Sequence, residues 1–309
     1  MAYTYPFAHP EGTLTPEEVH RLLSNSRAIA RRLRTLADQR FIADFLLGGR
    51  FSAAGGGIFY EDGQTLFAAD DPEAVAPGAE YPLTVMTADE LAAAKTTKWG
   101  HDSEVYDETI ARLALQPVDR TLRGLVNSVV RLVDSVALAV VGSKVVATYD
   151  ATAAPWTSGE NIVTGVLSAK AAGDNQGDGA YDMDTVVLTP VQFAKVMAFL
   201  INGSFLPREQ GNPVTSGMPV DALGITWTTS PHAPFTDPIL VDRDQLGGMA
   251  DENIQSPGYV SEGGIGVESK VQRLVGADDR DGYRLRARRV TVPVVTDPNA
   301  GIRITGTGL

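Results

Sequence analysis

Residues 117–141 read PVDRTLRGLVNSVVRLVDSVALAVV, and this stretch decides the fold. Val118, Leu122, Leu125, Val126, Val129, Val133, Val136, Ala137 and Val140 recur at the spacing that gathers side chains on one face of an α-helix. Pro117 suits a first helical turn, where its missing N–H leaves no bond unmade, and Gly142 and Ser143 supply a stop. Asp119 with Arg123, and Arg131 with Asp134, are spaced for supporting ion pairs along the helix. Ahead of it lies a segment of opposite character. Phe51 to Ala94 carries eight acidic side chains and no Lys or Arg, and is punctuated by Gly and Pro. A long excursion from a compact domain is uncommon unless it has a function. A rigid helix beside a one-signed excursion points to an arm that reaches another copy, and so to assembly before catalysis.

Within the excursion, Gly55-Gly56-Gly57 leads into Ile58-Phe59-Tyr60 and a turn at Glu61-Asp62-Gly63. Asp70-Asp71-Pro72 and Ala76-Pro77-Gly78 then precede a second apolar patch, Tyr81 to Met86. Two strand-like patches around a turn-rich tip predict a long hairpin. Upstream, Thr15-Pro16-Glu17-Glu18 forms a capping box, and Val19, Leu22, Leu23, Ile29, Leu33 and Leu36 predict an amphipathic helix running to about Asp38. Its other face is basic: six arginines lie between His20 and Arg40 against one acid, Asp38. A second basic cluster comprises Arg280, Arg284, Arg286, Arg288 and Arg289.

Glu104 to Ile110 alternates like a strand or a short transition. A helix is expected from about Gly159 to Ala172, and a buried strand, Asp184 to Thr189, runs through Pro190 into a helix carrying Phe193, Val196, Met197 and Leu200. Ile225–Thr229, Ile239–Val241, Tyr283–Val295 and Ile302–Thr305 read as further strands. Without a regular strand-helix alternation, the class is α+β rather than doubly wound.

The chain of 309 residues is 43% hydrophobic and 21% charged, enough for one large core or two modest ones. No run approaches the roughly 20 apolar residues that span a bilayer, and Met1 to Gly12 lacks a signal peptide's basic start and apolar block. A cytoplasmic setting without membrane contact is therefore expected. The absence of cysteine removes disulfides, thiolate zinc sites and cysteine nucleophiles. A net charge of -12 argues against a general nucleic-acid binder, because phosphates repel an acidic surface.

Motifs for chemistry are missing. The four histidines, His9, His20, His101 and His232, have no metal-ligand spacing. Gly55-Gly56-Gly57 lacks the lysine of a phosphate loop, Gly142-Ser143-Lys144 lacks the upstream glycine, and no Gly-x-Ser-x-Gly elbow occurs. Asp70-Asp71 and Asp278-Asp279 read as solvated turns rather than calcium ligands. Trp99, Trp156 and Trp227 read as core anchors. No catalytic, cofactor or metal site is expected.

Four segments carry a family resemblance. They are Lys98-Trp99-Gly100 through Val105-Tyr106-Asp107-Glu108; Asp119 to Val141; Val187-Leu188-Thr189-Pro190 with Phe193; and Gly217-Met218-Pro219-Val220 followed by Ile239-Leu240-Val241-Asp242-Arg243. In this order they resemble the HK97-fold major capsid proteins of tailed bacteriophages, especially those of phages infecting actinobacteria. The resemblance implies an α+β, HK97-like capsid fold: an N-terminal arm at 1–50, an extended loop at 51–103, a peripheral domain with a spine helix at 104–157, an axial domain at 158–273, and return strands at 274–309. It also implies an icosahedral head shell of hexamers and pentamers around double-stranded DNA, located in the virion and assembled in the host cytoplasm. Portal and decoration proteins are the implied neighbours. Met1 to Thr15 is too short for a fused scaffolding segment, so a separate scaffolding protein is expected. Some members of the family crosslink through a loop lysine. The tip here, Glu61 to Glu80, has none, Lys95 and Lys98 lie near its base, and no such crosslink is expected.

The expected contacts pair the acidic loop of one subunit with a basic surface of the next. On the loop the candidates are Glu61, Asp62, Asp70, Asp71 and Glu73, with Phe59, Tyr60, Leu66, Phe67 and Tyr81 supplying burial. The receiving candidates are Arg27, Arg31 and Arg34, and Arg284, Arg286, Arg288 and Arg289. Each exposed ion pair is worth only about 0 to 1 kcal/mol, so charge would set register and the apolar residues affinity. The same fold would also suit an encapsulin-like nanocompartment. A carboxylate-based enzyme or carbohydrate-binding protein is a third reading, supported only by scattered acids.

Overall fold

Thr15 starts the first helix, Pro16–Ser24, by accepting from the Glu18 N–H while Glu18 accepts from the Thr15 N–H at 2.9 Å. This is the computed structural model of the chain, and it describes residues 14–37, 41–63, 74–84, 90–176, 179–202, 221–261, 266–274 and 280–309. The basic helix expected to run to Asp38 is two helices. Asn25 sits in extended backbone, and its side chain accepts from the Ala28 N–H, so the chain restarts as Ser26–Ala37. Val19, Leu22, Leu23, Ile29 and Leu33 are buried in the main core. Ser26–Ala37 thus lies on its own chain, against the long helix and the strand Val267–Arg273, and Pro16–Ser24 packs on it.

The long helix spans Gln116–Lys144 and carries through Gly142 and Ser143. Its buried face, from Val118 and Leu122 to Leu138 and Val141, covers the strands Thr97–Tyr106 and Gly282–Val295. By length and composition it is the one helix among the described residues that could cross a membrane, but its apolar stripe is spent on this sheet. The expected partners within the helix are replaced by distant ones. Asp119 accepts from Arg32 at 2.7 Å, and Asp134 turns inward to the backbone of the short helix Ile42–Leu46.

Two six-stranded sheets organise the rest. In the first, Gly282–Val295 is central. It pairs antiparallel with Thr97–Tyr106, with Val267–Arg273, and at its end with Gly247–Asp251. Gly49–Ser52 adds parallel to Gly247–Asp251, and the two backbones touch closely enough that a Cβ on Gly248 would lie 2.3 Å from the Gly49 carbonyl oxygen. In the second sheet the order is Thr148–Asp150, Gly301–Thr305, Ile239–Val241, Thr185–Leu188, Ile225–Thr229 and Asp221–Ala222. The helices Gly159–Gln176 and Pro190–Asn202 pack together beside it. The sheets cut across the sequence-derived boundaries: Gly247–Asp251 and Val267–Arg273 join the long-helix sheet rather than the 158–273 unit, and Thr148–Asp150 joins the other sheet rather than the 104–157 unit. Strand pairing at long range, not chain order, sets the division.

Candidate assembly surface

The excursion forms an antiparallel hairpin, Gly57–Asp62 with Glu90–Lys95. Its second strand therefore differs from the expected Tyr81–Met86; Tyr81 to Thr84 lie outside any strand. Leu66, Phe67, Asp70, Asp71 and Glu73 fall outside the described residues. Opposed residues in such a pair share a face. Phe59 lies opposite Ala93 and Glu61 opposite Leu91, and this face is exposed, with Phe59 at 75% and Leu91 at 67% of full accessibility. Tyr81 and Leu83 are exposed at 82% and 94%. The other face is Ile58, Tyr60 and Ala94, which pack on Phe51, Ala53, Ala250, Val292 and Val294. Tyr60 is thus turned to its own chain, where strand alternation puts it once Phe59 points out.

Four hydrogen bonds hold the hairpin to the rest of the chain, two at its open end and two where the loop leaves the paired strands. Glu252 accepts from the Gly56 N–H at 3.0 Å and from the Thr96 hydroxyl at 2.6 Å, holding both strands with one carboxylate. Lys144, at the end of the long helix, donates to Asp62 at 2.7 Å. The Gly63 N–H donates to the Thr296 carbonyl at 2.7 Å. Asp62 is therefore engaged within its own chain, whereas Glu61 is exposed. No sequence motif marks Glu252, which acts alone between turns.

The two arginine clusters divide in the same way. Arg27, Arg31 and Arg34 are exposed on Ser26–Ala37. The C-terminal cluster is occupied internally because Thr97–Tyr106 runs beside it. Arg284 donates to Glu104 at 2.9 Å and Arg286 forks onto Asp102, which holds the Asp102 carboxyl below the usual carboxylate range. Arg288 and Arg289 are 3% and 0% exposed. Arg288 pairs with Glu268, and Arg289 bridges Asp44 and Asp251. A neighbouring loop cannot reach these two guanidinium groups in this fold.

Asp134, 1% exposed, accepts from the N–H groups of Ala43 and Ile42 at 3.0 and 3.3 Å. Burial raises its carboxyl to about pH 6 against the opposing pull of these two bonds. Trp156 and Trp227 are buried and Trp99 packs partly buried on the core. Among the described residues, no cluster of His, Asp and Glu could hold a metal ion.

A family described as "Phage capsid protein" matches residues 89–304, well over half of the chain. The chain belongs to this phage capsid family. A comparison with curated protein sequences finds no significant match. Among solved structures, the capsid of cyanophage P-SCSP1u is similar at 12% identity and a TM-score of 0.55, over 83% of this chain and 85% of that one. A virus-like particle from Pyrococcus furiosus is similar at 10% identity and 0.54, over 90% and 98%. A Gordonia phage Cozz chain is similar at 14% identity and 0.51, over 85% of each. These likenesses establish a shared fold, and the family supplies the role. The capsid protein has the α+β, HK97-like architecture that its sequence resembles, and it is a shell-forming structural protein of the phage particle. The family favours this over a nanocompartment shell.

Proposed function

We propose that this capsid protein closes an icosahedral head around double-stranded DNA, as pentamers and hexamers assembled in the host cytoplasm, with no catalytic step of its own. The hairpin is the strap between subunits. One observation carries this: a hairpin held by Glu252 at its open end and by Lys144 at its loop end presents Phe59 and Leu91 outward, largely exposed among the described residues. Burying two such side chains on a neighbour is worth about 1.5 to 3 kcal/mol each, well above any exposed ion pair. Glu61 then supplies the charge that faces a basic helix, with Arg27 and Arg34 as the receiving candidates. Small contacts repeated around a closed shell give a stable particle.

The test is sedimentation and negative-stain microscopy of the expressed protein beside a Phe59→Ser, Leu91→Ser variant and an Arg27→Glu, Arg34→Glu variant. Shells from the parent chain, lost in the first variant and reduced in the second at unchanged monomer melting temperature, are expected. Normal shell yield from the Phe59→Ser, Leu91→Ser variant would remove the hairpin from this role.

A further inference from the structure

The outward side of the long helix is not used by the hairpin or by the core. Three hollows of about 560, 440 and 590 Å³ lie along it. They are neighbours along it: the first and second share Arg120 and Gly124, the second and third share His101 and Ser128. The furrow thus follows the helix from Gln116 to Ser135, roughly 28 Å at the usual helical rise.

Its charge is opposite to that of the molecule. Arg120, Arg123 and Arg131 line it, and all three are exposed without an acidic partner among the described residues. The two acids beside it are already neutralised, Asp119 by Arg32 and Asp102 by Arg286. In a chain of net charge -12, three arginines along one open furrow make a local positive strip that attracts anions.

We propose that this furrow binds the phosphate backbone of double-stranded DNA without reading its sequence. The lining favours phosphate over an acidic peptide. Beside the arginines it offers the amide of Gln116 and the hydroxyl of Thr121, groups that contact phosphates, while Ser128 and Ser135 donate their hydroxyl protons to the Gly124 and Leu132 carbonyls; Leu125 and Leu132 are its large apolar side chains. A peptide partner draws its affinity from apolar or aromatic anchors, and no Phe, Tyr or Trp lines the furrow, whose Leu125 is almost wholly buried. The identity of the ligand rests on the proposed enclosure of DNA; the geometry of the furrow does not.

The test measures binding of a random-sequence DNA duplex to the purified full chain by fluorescence anisotropy across a salt series, with Arg120→Gln, Arg123→Gln, Arg131→Gln as the variant. Weak binding by the parent chain at low salt is expected, with the variant's log-log salt slope shallower by about 3, one per lost phosphate contact. No binding by the parent chain, or an unchanged slope in the variant, overturns the proposal. So does a polyglutamate peptide that outcompetes DNA on the parent chain and loses binding in the variant. Shell formation, scored separately by sedimentation, separates the two readings. Shells with an unchanged salt slope sink only the furrow, and arginine-dependent DNA binding without shells sinks only the assembly role.

Discussion

Lys144 Nζ lies 2.7 Å from Asp62 Oδ2, so the last residue of the long helix holds the outgoing strand of the hairpin. Both side chains are partly exposed, at 39% and 29%, and the pair adds little to folding. Its effect is directional, because it sets the angle at which Phe59 and Leu91 are presented. Lys144→Ala is expected to change stability by less than about 1 kcal/mol. Amide exchange in residues 57–62 and 90–95 should nevertheless speed up while the helix stays protected. Unchanged exchange in the hairpin would show that Glu252 and the Gly63–Thr296 bond suffice.

Arg289 is the opposite case, an ion pair whose loss is felt throughout. Its guanidinium is fully buried and meets Asp44 at 2.7 and 2.8 Å and Asp251 at 3.0 Å, joining the short helix Ile42–Leu46 to two strands. Arg289→Met leaves Asp44 and Asp251 with only the half-exposed Arg50, at 3.1 and 3.9 Å, for an expected loss of about 3 kcal/mol. Arg284→Gln, at a half-exposed pair with Glu104, should cost under about 1 kcal/mol. Urea titrations of both variants check the contrast; similar losses would mean that burial does not separate these arginines.

That contrast also marks what was legible in the sequence. The long helix, the Thr15 cap and the strand before Pro190 could be read because each is specified by neighbours within a few residues. The second hairpin strand could not. Leu-Ala-Ala-Ala-Lys favours helix by local propensity and becomes a strand only by pairing with Gly57–Asp62. Nor could the fate of Arg284 to Arg289 be read locally, since their acids, Asp102, Glu104, Glu268, Asp44 and Asp251, are brought in by strand register from far along the chain. Of the candidate site, the outward Phe59 and the basic Ser26–Ala37 face were foreseeable from alternation and periodicity. The clamp by Glu252 was not, since a lone acid carries no pattern.

Gly165 tests the packing between the helix Gly159–Gln176 and the loop before it. A Cβ there would lie 2.6 Å from Trp156 Nε1, and the indole is 1% exposed. Ordinarily Gly→Ala within a helix stabilises by removing backbone freedom. Here overpacking should win, with Gly165→Ala destabilising by about 1 to 3 kcal/mol and shifting the tryptophan fluorescence. A stabilised variant would show that the indole can yield.

Asp134 should make stability depend on pH in an unusual direction. An unfolded aspartate titrates near 3.9, whereas burial raises this one to about 6. Between those values the native state holds a proton that the unfolded chain lacks, so this group's contribution falls as pH rises from about 4 to 6. Two pH units correspond to at most about 2.7 kcal/mol. Asp102 and Asp107 act oppositely: hydrogen bonds from Arg286 and Arg273 hold them low, and the stability they contribute is present above the ordinary carboxylate range and lost only on further acidification. Comparing the parent chain with an Asp134 variant isolates this effect, because every other titratable group is common to both chains. Asp134→Asn should flatten the gain in denaturation free energy from pH 7 to pH 5 by about 1 to 2 kcal/mol, whatever its absolute stability. The difference is the informative quantity, because the amide keeps one acceptor for the Ala43 N–H and turns a donor toward that of Ile42. Identical pH profiles for parent and variant would show that the carboxyl stays ionised in the folded chain, with the charge of the two N–H groups outweighing its burial.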